Sequence, residues 1–368
     1  MPLPSSGQIS LLMIQNELGG NNPIGINEYY RGGAYTPSNI SQVPASGTIA
    51  FSNFYGVSKS NTQSGAITGS KSGNIRLWKW TSSGSFVIFN PGYVDILVVG
   101  GGGRGYWGYG YAGGGGGGGG LIYIPSLYLE AGNYTVIIGG SGNDTSLYRN
   151  SAGYLTAKAG GGNPNTGGAG GSGSGDGGTA TQSTAFGGGL SSVYGYGNRG
   201  GYYSYTDQGW NASGGGGGAG GVGGNGSGYY GQYCYNDDGQ EYCYTDYGSP
   251  YGVGGNGGDG RYYSIDINGS YYAGGGGGAS GFSDNVSYIW GYPFGYGRGY
   301  AIPYGGAGGG GRGTSRGEGN GSGYTGPDNG TNGLGGGGGG GGPGNANGYY
   351  TSGGSGVLIM SGSSSMLP

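Results

Sequence analysis

The chain has no histidine in 368 residues. That absence removes imidazole general bases, histidine metal ligands and Ser-His-Asp triads, and with them most hydrolytic chemistry. Charge is scarce as well, with Asp, Glu, Lys and Arg making up 8% of the residues. The net charge of −3 divides unevenly: residues 1–158 carry eight basic and five acidic groups (+3), and residues 159–368 carry five and eleven (−6). Nucleic acid is therefore not expected as a partner. No Gly-Lys dipeptide occurs, which excludes a P-loop. No stretch approaches the roughly 18 apolar residues of a membrane span, and Met1 to Gly20 lacks a basic segment followed by an apolar one. The expectation is a protein without a secretory signal and without membrane insertion, and one that is not an enzyme and uses no metal or cofactor.

Aliphatic residues are nearly missing from the second half: between Gly160 and Ser355 there are 13 Val, Ile, Leu, Met or Phe residues in 196. Apolar burial of the ordinary kind cannot offset chain entropy there. What replaces them is glycine, 111 residues, with only 14 prolines and no strict Gly-X-Y period, so a collagen triple helix is excluded. Against simple disorder stand 38 tyrosines and an aromatic content of 14%.

Residues 1–60 differ in composition from the rest and hold a degenerate repeat at an offset of 40, Pro4-Ser-Ser-Gly-Gln-Ile-Ser-Leu11 against Pro44-Ala-Ser-Gly-Thr-Ile-Ala-Phe51. Each copy reads as a turn followed by a short apolar element. In the first copy Ser10 is placed to N-cap a helix through Leu18 that stops at Gly19 and Gly20. Residues 61–74 read as a linker. From Ile75 the pattern is that of strands: 75–80 alternates, 86–89 is apolar and 94–99 is a nearly continuous β-branched run, with further strands at 121–124, 134–138 and 154–158. Residues 75–160 thus read as a β-sandwich, which residues 356–368 close with a last strand, Val357-Leu-Ile-Met360. The glycine-rich insert between them, 161–355, would be anchored at both ends.

Glycine runs such as 113–120, 214–218, 274–278, 308–311 and 335–342 make poor α-helices and strands. They are suited to the extended, threefold polyproline II type of helix, which has no internal hydrogen bonds. Laid side by side, such polyglycine II helices can pair their N–H and C=O groups with neighbours, and the missing side chains allow close approach. The expected fold class is mainly β with polyglycine II: a small N-terminal module, a sandwich, and a glycine lattice carrying aromatic loops.

Motifs with chemical meaning weigh little in this background. Gly100-Gly-Gly-Gly103 follows a strand as a dinucleotide fingerprint does, but no helix pattern follows. Gly139-Gly-Ser-Gly-Asn-Asp144 and Gly254-Gly-Asn-Gly-Gly-Asp259 match the calcium β-roll pattern but lie 115 residues apart, so they read as surface turns. The Asn-x-Ser/Thr sequons at Asn133, Asn211 and Asn268 carry no information in so polar a chain. Cys234 and Cys243, the only two cysteines, flank an eight-residue turn. They are either a disulfide across a hairpin or two free thiols. Tyrosine and tryptophan mixed with Gly, Ser and Asn form the composition of antibody paratopes, which offer stiff contact area with polar edges. The alternative is that the rings pack on one another in place of an aliphatic core.

Two resemblances follow from these residues. Residues 4–60, with Ile26-Asn-Glu-Tyr-Tyr-Arg-Gly-Gly33 and Ser46-Gly-Thr-Ile-Ala-Phe-Ser-Asn-Phe-Tyr-Gly56, resemble an N-terminal segment of tailed-phage virion proteins, particularly those of cyanophages. Residues 75–361, with Val94-Asp-Ile-Leu-Val-Val-Gly-Gly-Gly-Gly103 and Tyr134-Thr-Val-Ile-Ile-Gly-Gly140, resemble the glycine-rich domain of phage tail proteins. The insert is similar in style to the distal adhesins of T-even-type phages, whose polyglycine II sandwiches display receptor-binding loops. The resemblance implies a virion tail fibre or spike protein, located on the virion. Its partners would be a bacterial surface receptor, glycan or outer-membrane protein, and other tail or baseplate proteins bound through residues 1–60. It also implies a homo-oligomer, a trimer being usual for fibres. The candidate receptor-binding residues are Trp107, Tyr109, Tyr203, Tyr205, Trp210, Tyr235, Tyr263, Tyr272, Trp290 and Tyr292. The competing reading is a purely structural virion component, a capsid decoration or tail-wall protein; a glycine-rich ice-binding protein is a third, which irregular tyrosine loops argue against.

Overall fold

The computed structural model describes residues 3–37, 40–106, 112–162, 170–182, 195–205, 211–237, 240–280, 302–316, 324–341 and 350–367, with backbone alone at 205, 211, 228–237, 240–251, 315, 316, 324 and 325. The chain is mainly β and its sheets are antiparallel.

The first sixty residues have a core of their own, built from Leu3, Ile14, Leu18, Tyr29, Val43, Phe54 and Val57. Helix α1 (Leu11–Leu18) begins where the Ser10 hydroxyl accepts the Met13 amide and ends where Gly19 takes a φ of 90°. The repeat is visible in the backbone. Gly7 and Gly47 both turn the chain with positive φ, 91° and 84°, in the left-handed region that favours glycine. Ser10 and Ala50 then enter a helical turn from nearly identical extended conformations. Each turn is clamped in the same way by the opposite half. Gly56 N–H donates to Pro4 O and the Tyr55 hydroxyl to Gly7 O; Arg31 N–H donates to Pro44 O and the Tyr30 hydroxyl to Gly47 O.

Strands β1 (Thr62–Ser64), β2 (Ile67–Ser72), β3 (Ile75–Trp80), β4 (Gly84–Ile88), β5 (Gly92–Val99), β6 (Leu121–Leu129), β7 (Gly132–Ile137), β8 (Thr145–Arg149) and β9 (Ala152–Ala157) follow in order. Short elements interrupt the glycine-rich part: β10 (Gly195–Tyr196), β11 (Ser204–Tyr205), β12 (Asn211–Ala212), β13 (Ser227–Asp237), β14 (Gln240–Val253), β15 (Arg261–Tyr263), β16 (Ser270–Tyr272), β17 (Ser315–Arg316) and β18 (Tyr324–Thr325). Strand β19 (Val357–Ser363) comes last. One sheet has the order β1-β4-β7-β8-β9 and the other β10-β6-β5-β19-β3-β2. The segment 61–74, expected as a linker, is thereby corrected: β1 and β2 are edge strands of the two sheets. Their polar sequences, Thr-Gln-Ser and Ile-Thr-Gly-Ser-Lys-Ser, reflect edge positions with little coverage.

The centre of the six-stranded sheet is buried on both faces, which is why β5 and β19 read as nearly continuous apolar runs. Ile96, Val98, Ile122, Leu358 and Met360 face the five-stranded sheet, where they meet Phe86, Ile88, Val136, Leu147 and Leu155. Phe86 stacks on Tyr134 there, ring centroids 4.6 Å apart. Their sequence neighbours Leu97, Val99, Leu121, Val357 and Ile359 face the other way, against Ala219, Ile265, Tyr272 and Ala273 of the glycine-rich part.

That part is held by hydrogen bonds at intervals of three residues. The amides of Gly113, Gly116 and Gly119 donate to the carbonyls of Gly341, Gly338 and Gly335; those of Gly115 and Gly118 to Gly214 and Gly217; those of Gly117 and Gly120 to Gly161 and Lys158. In return its carbonyls accept from three further segments: Gly114, Gly117 and Gly120 from Tyr106, Gly103 and Gly100; Gly113 and Gly116 from Ala279 and Gly276; Gly115 and Gly118 from Gly175 and Ser172. These N···O distances run from 2.7 to 3.2 Å, normal for amide bonds. Residues 113–120, one of the glycine runs expected to pack side by side although it falls within the bounds 75–160, are thus surrounded by six neighbouring segments at the centre of the glycine-rich part. A Cβ on Gly117 would lie 2.1 Å from Ser172 O, so no side chain fits.

Candidate functional site

The register of these bonds also gives the lattice two distinguishable ends. At one end the segments join the six-stranded sheet: Gly100 follows β5, Gly120 precedes β6, and Gly100 N–H donates to Gly120 O while Gly120 N–H donates to Lys158 O. Ala219, Ala273 and Leu334 are linked at the same level, through Ala219 N–H to Ala273 O and Ala273 N–H to Leu334 O. Every run can be followed from this level away from the sheets. At the far end Gly341 N–H donates to Tyr106 O, Gly113 N–H to Gly341 O, Ala279 N–H to Gly113 O, Ser213 N–H to Ala279 O and Ser280 N–H to Thr314 O. The Ser213 hydroxyl donates to Ala112 O and Gly254 N–H to the Ser280 hydroxyl, completing the rim.

The described chain therefore reaches this far end on both sides of six segments, those between residues 106 and 112, 201 and 213, 226 and 254, 280 and 302, 314 and 326, and 341 and 350. The ribbons β11–β12, β13–β14 and β17–β18 belong to these excursions, and each is a two-stranded sheet separate from the two large ones.

Of the ten aromatic candidates, eight fall on these excursions. Tyr203 is exposed (57%), beside Tyr202 (51%), over whose ring the Arg199 guanidinium sits 4.8 Å from the centroid. Tyr202 N–H donates to the Asn225 side chain and its carbonyl accepts Gly226 N–H, so this pair of rings is fixed at its base. Tyr205 stands opposite Asn211 on β11–β12, and Tyr235 opposite Tyr242 on β13–β14. Trp107, Tyr109, Trp210, Trp290 and Tyr292 lie outside the described residues. The backbone register also sets Cys234 opposite Cys243.

Tyr263 and Tyr272 are corrected. They belong to the β15–β16 hairpin, which lies at the sheet end of the lattice and is tied to β3 by a 2.6 Å ion pair between Lys79 and Asp266. Tyr272 is fully buried against the six-stranded sheet, and Tyr263 is half-buried with its ring 4.6 Å from that of Tyr123. Burial raises both hydroxyls above the usual phenol range. The exposed tyrosines of this hairpin are their neighbours Tyr262 and Tyr271, paired with centroids 5.3 Å apart. Alternation along a strand separates the two sets, and a spacing of one residue in so tyrosine-rich a segment left the parity unreadable.

Tyr202 and Tyr350 at the far end, both exposed, were missed by the sequence reading; adjacency to a chosen tyrosine was the only signal for the first. The two β-roll-like carboxylates are engaged by the protein itself. Asp144 pairs with Lys158 at 2.8 Å and accepts Ala159 N–H, and Asp259 accepts Ala307 N–H. No protein-family model and no curated protein matches the sequence, and no solved structure matches the fold.

Proposed function

We propose that this is a phage virion tail fibre or spike protein that adsorbs to a receptor on a bacterial surface through Tyr- and Trp-rich loops. The observation that carries the reading is that the described chain reaches the end of the lattice away from the sheets at six pairs of positions, with exposed Tyr202, Tyr203 and Tyr350 among them. A recognition surface needs loops held by a rigid scaffold, and aromatic rings lose little entropy on binding. The lattice is read as a sandwich of polyglycine II helices. Its support is the threefold recurrence of hydrogen bonds, since amides three residues apart point in one direction only in a threefold helix. The two large sheets with their shared core are read as a β-sandwich that anchors it, and residues 1–60 as the module that attaches it to other tail or baseplate proteins. The modest affinity of one such surface would be raised by several copies, as in a trimer.

The competing structural role predicts a different outcome in one experiment. Residues 203–210 are exchanged for Gly/Ser in the particle's gene. Particles that assemble in normal number and fail to adsorb support the receptor reading. Particles that adsorb normally, or that no longer assemble, support a structural component.

A further inference from the structure

The β13–β14 ribbon is the longest excursion from the far end. Ten steps of about 3.4 Å carry it roughly 34 Å from Ser227 to Asp237. Among the described elements, its main contacts outside the ribbon are with the short strands β11 and β12. A two-stranded ribbon without a covering layer is marginally stable in water. Its register is weakly specified when the strands are rich in glycine and polar residues, as here, and it shifts once, between Tyr229 and Gly231. Something must hold it in one register if it is to present a defined surface.

The sequence has two cysteines, and the register sets them directly opposite each other, Cys234 against Cys243. Directly opposed residues of an antiparallel pair have Cα atoms about 4.5 or 5.5 Å apart, and both spacings fall within the roughly 4.4–6.8 Å that a disulfide takes. The alternation of strands adds a second feature. Cys234 and Cys243 share one face of the ribbon with the pairs Gln232/Thr245 and Asn236/Glu241, whereas Tyr233/Tyr244 and Tyr235/Tyr242 share the other. A slip of one residue would exchange these faces.

We propose that Cys234 and Cys243 form a cross-strand disulfide that staples the ribbon and fixes its four-tyrosine face. The bond forms by exchange with a low-molecular-weight disulfide such as oxidised glutathione. One cysteine thiolate attacks it, releasing one glutathione thiolate and leaving a mixed disulfide. The second cysteine thiolate then displaces the other glutathione. Two cysteine thiols are oxidised, two glutathione thiols are produced, and the protons lost by the cysteines end on them. The reducing cytosol keeps the two thiols unbridged and an oxidising exterior joins them. The inference rests on the register alone and stands or falls independently of receptor binding.

The test uses the full chain. After incubation with oxidised glutathione the folded protein is alkylated without reduction and digested with trypsin. Cleavage after Arg199 and Arg261 yields a peptide of residues 200–261 with both cysteines. The expected mass is two hydrogens below the dithiol peptide, with no alkyl group. Reduction should raise the open population of the ribbon about a hundredfold, the scale expected for a short closed loop. That rise is read as faster chymotryptic cleavage between residues 229 and 251. The Cys234→Ser/Cys243→Ser variant should be cleaved at the reduced rate under both conditions. Alkylation of both cysteines, glutathione retained on either, or disulfide-linked dimers after the oxidising step would overturn the proposal.

Discussion

At the scale of single residues, the glycines of the lattice interior are demanded by their neighbours' backbones. Gly117 faces Ser172 O where a Cβ would stand at 2.1 Å, and that carbonyl belongs to a hydrogen-bonded segment that cannot retreat. Gly117→Ala is expected to cost about 3 kcal/mol or more, seen as a large fall in melting temperature. Gly140→Ala, with nothing within 4 Å, should be nearly neutral. Asp176 is a carboxyl whose ionisation opposes folding. It takes a left-handed φ of 66° and accepts Gly214 N–H at 3.1 Å. Burial pushes its pKa from 3.8 up to about 6, although hydrogen bonds from Gly214 and Ser213 act the other way. The folded protein therefore holds this proton more tightly than the unfolded chain. The stability it contributes is full below about pH 4 and is lost as the pH rises through about 6. Asp176→Asn keeps the acceptor oxygen and loses the charge, so at pH 7 it should be more stable than the wild type by at most about 3 kcal/mol. The gap should close toward pH 4 in denaturant titrations.

At the scale of elements, strand alternation decides which aromatic rings are structural. Tyr272→Ala should destabilise by about 3 kcal/mol through the cavity it leaves beneath the six-stranded sheet. Tyr271→Ala, one residue away and exposed, should stay within about 0.5 kcal/mol in thermal unfolding. The same alternation explains what was readable in the sequence. Helix α1 was legible because Ser10 and Gly19 mark its ends, and the offset-40 repeat was legible because Pro-x-Ser-Gly recurs with the same turn geometry. The run from Val94 to Val99 was legible as a strand, and its continuous hydrophobicity is now accounted for by cores on both faces. Strands β1 and β2 were not legible, since an edge strand needs no apolar face. The parity of Tyr262, Tyr263, Tyr271 and Tyr272 was hidden because both faces carry the same residue type.

At the scale of the whole molecule, glycine composition announced close backbone packing but could not say which runs are neighbours or which way each runs. Those facts come from hydrogen-bond levels such as Gly113 with Gly341 and Gly118 with Gly217. They sort the candidate site by position: the excursions with Tyr203, Tyr205 and Tyr235 leave from the far end, and the hairpin with Tyr263 and Tyr272 sits beside the sheets. The central claim is that recognition belongs to the far end. It is tested most directly by the binding of purified protein to bacteria that the proposed phage particle would infect, using one triple and one double variant of exposed tyrosines. Tyr202→Ala/Tyr203→Ala/Tyr350→Ala removes rings at the far end, and Tyr262→Ala/Tyr271→Ala removes them at the sheet end. With melting temperatures equal to wild type, the first variant should lose binding and the second should keep it. Retention of binding by the first variant, or its loss in the second, would contradict the account.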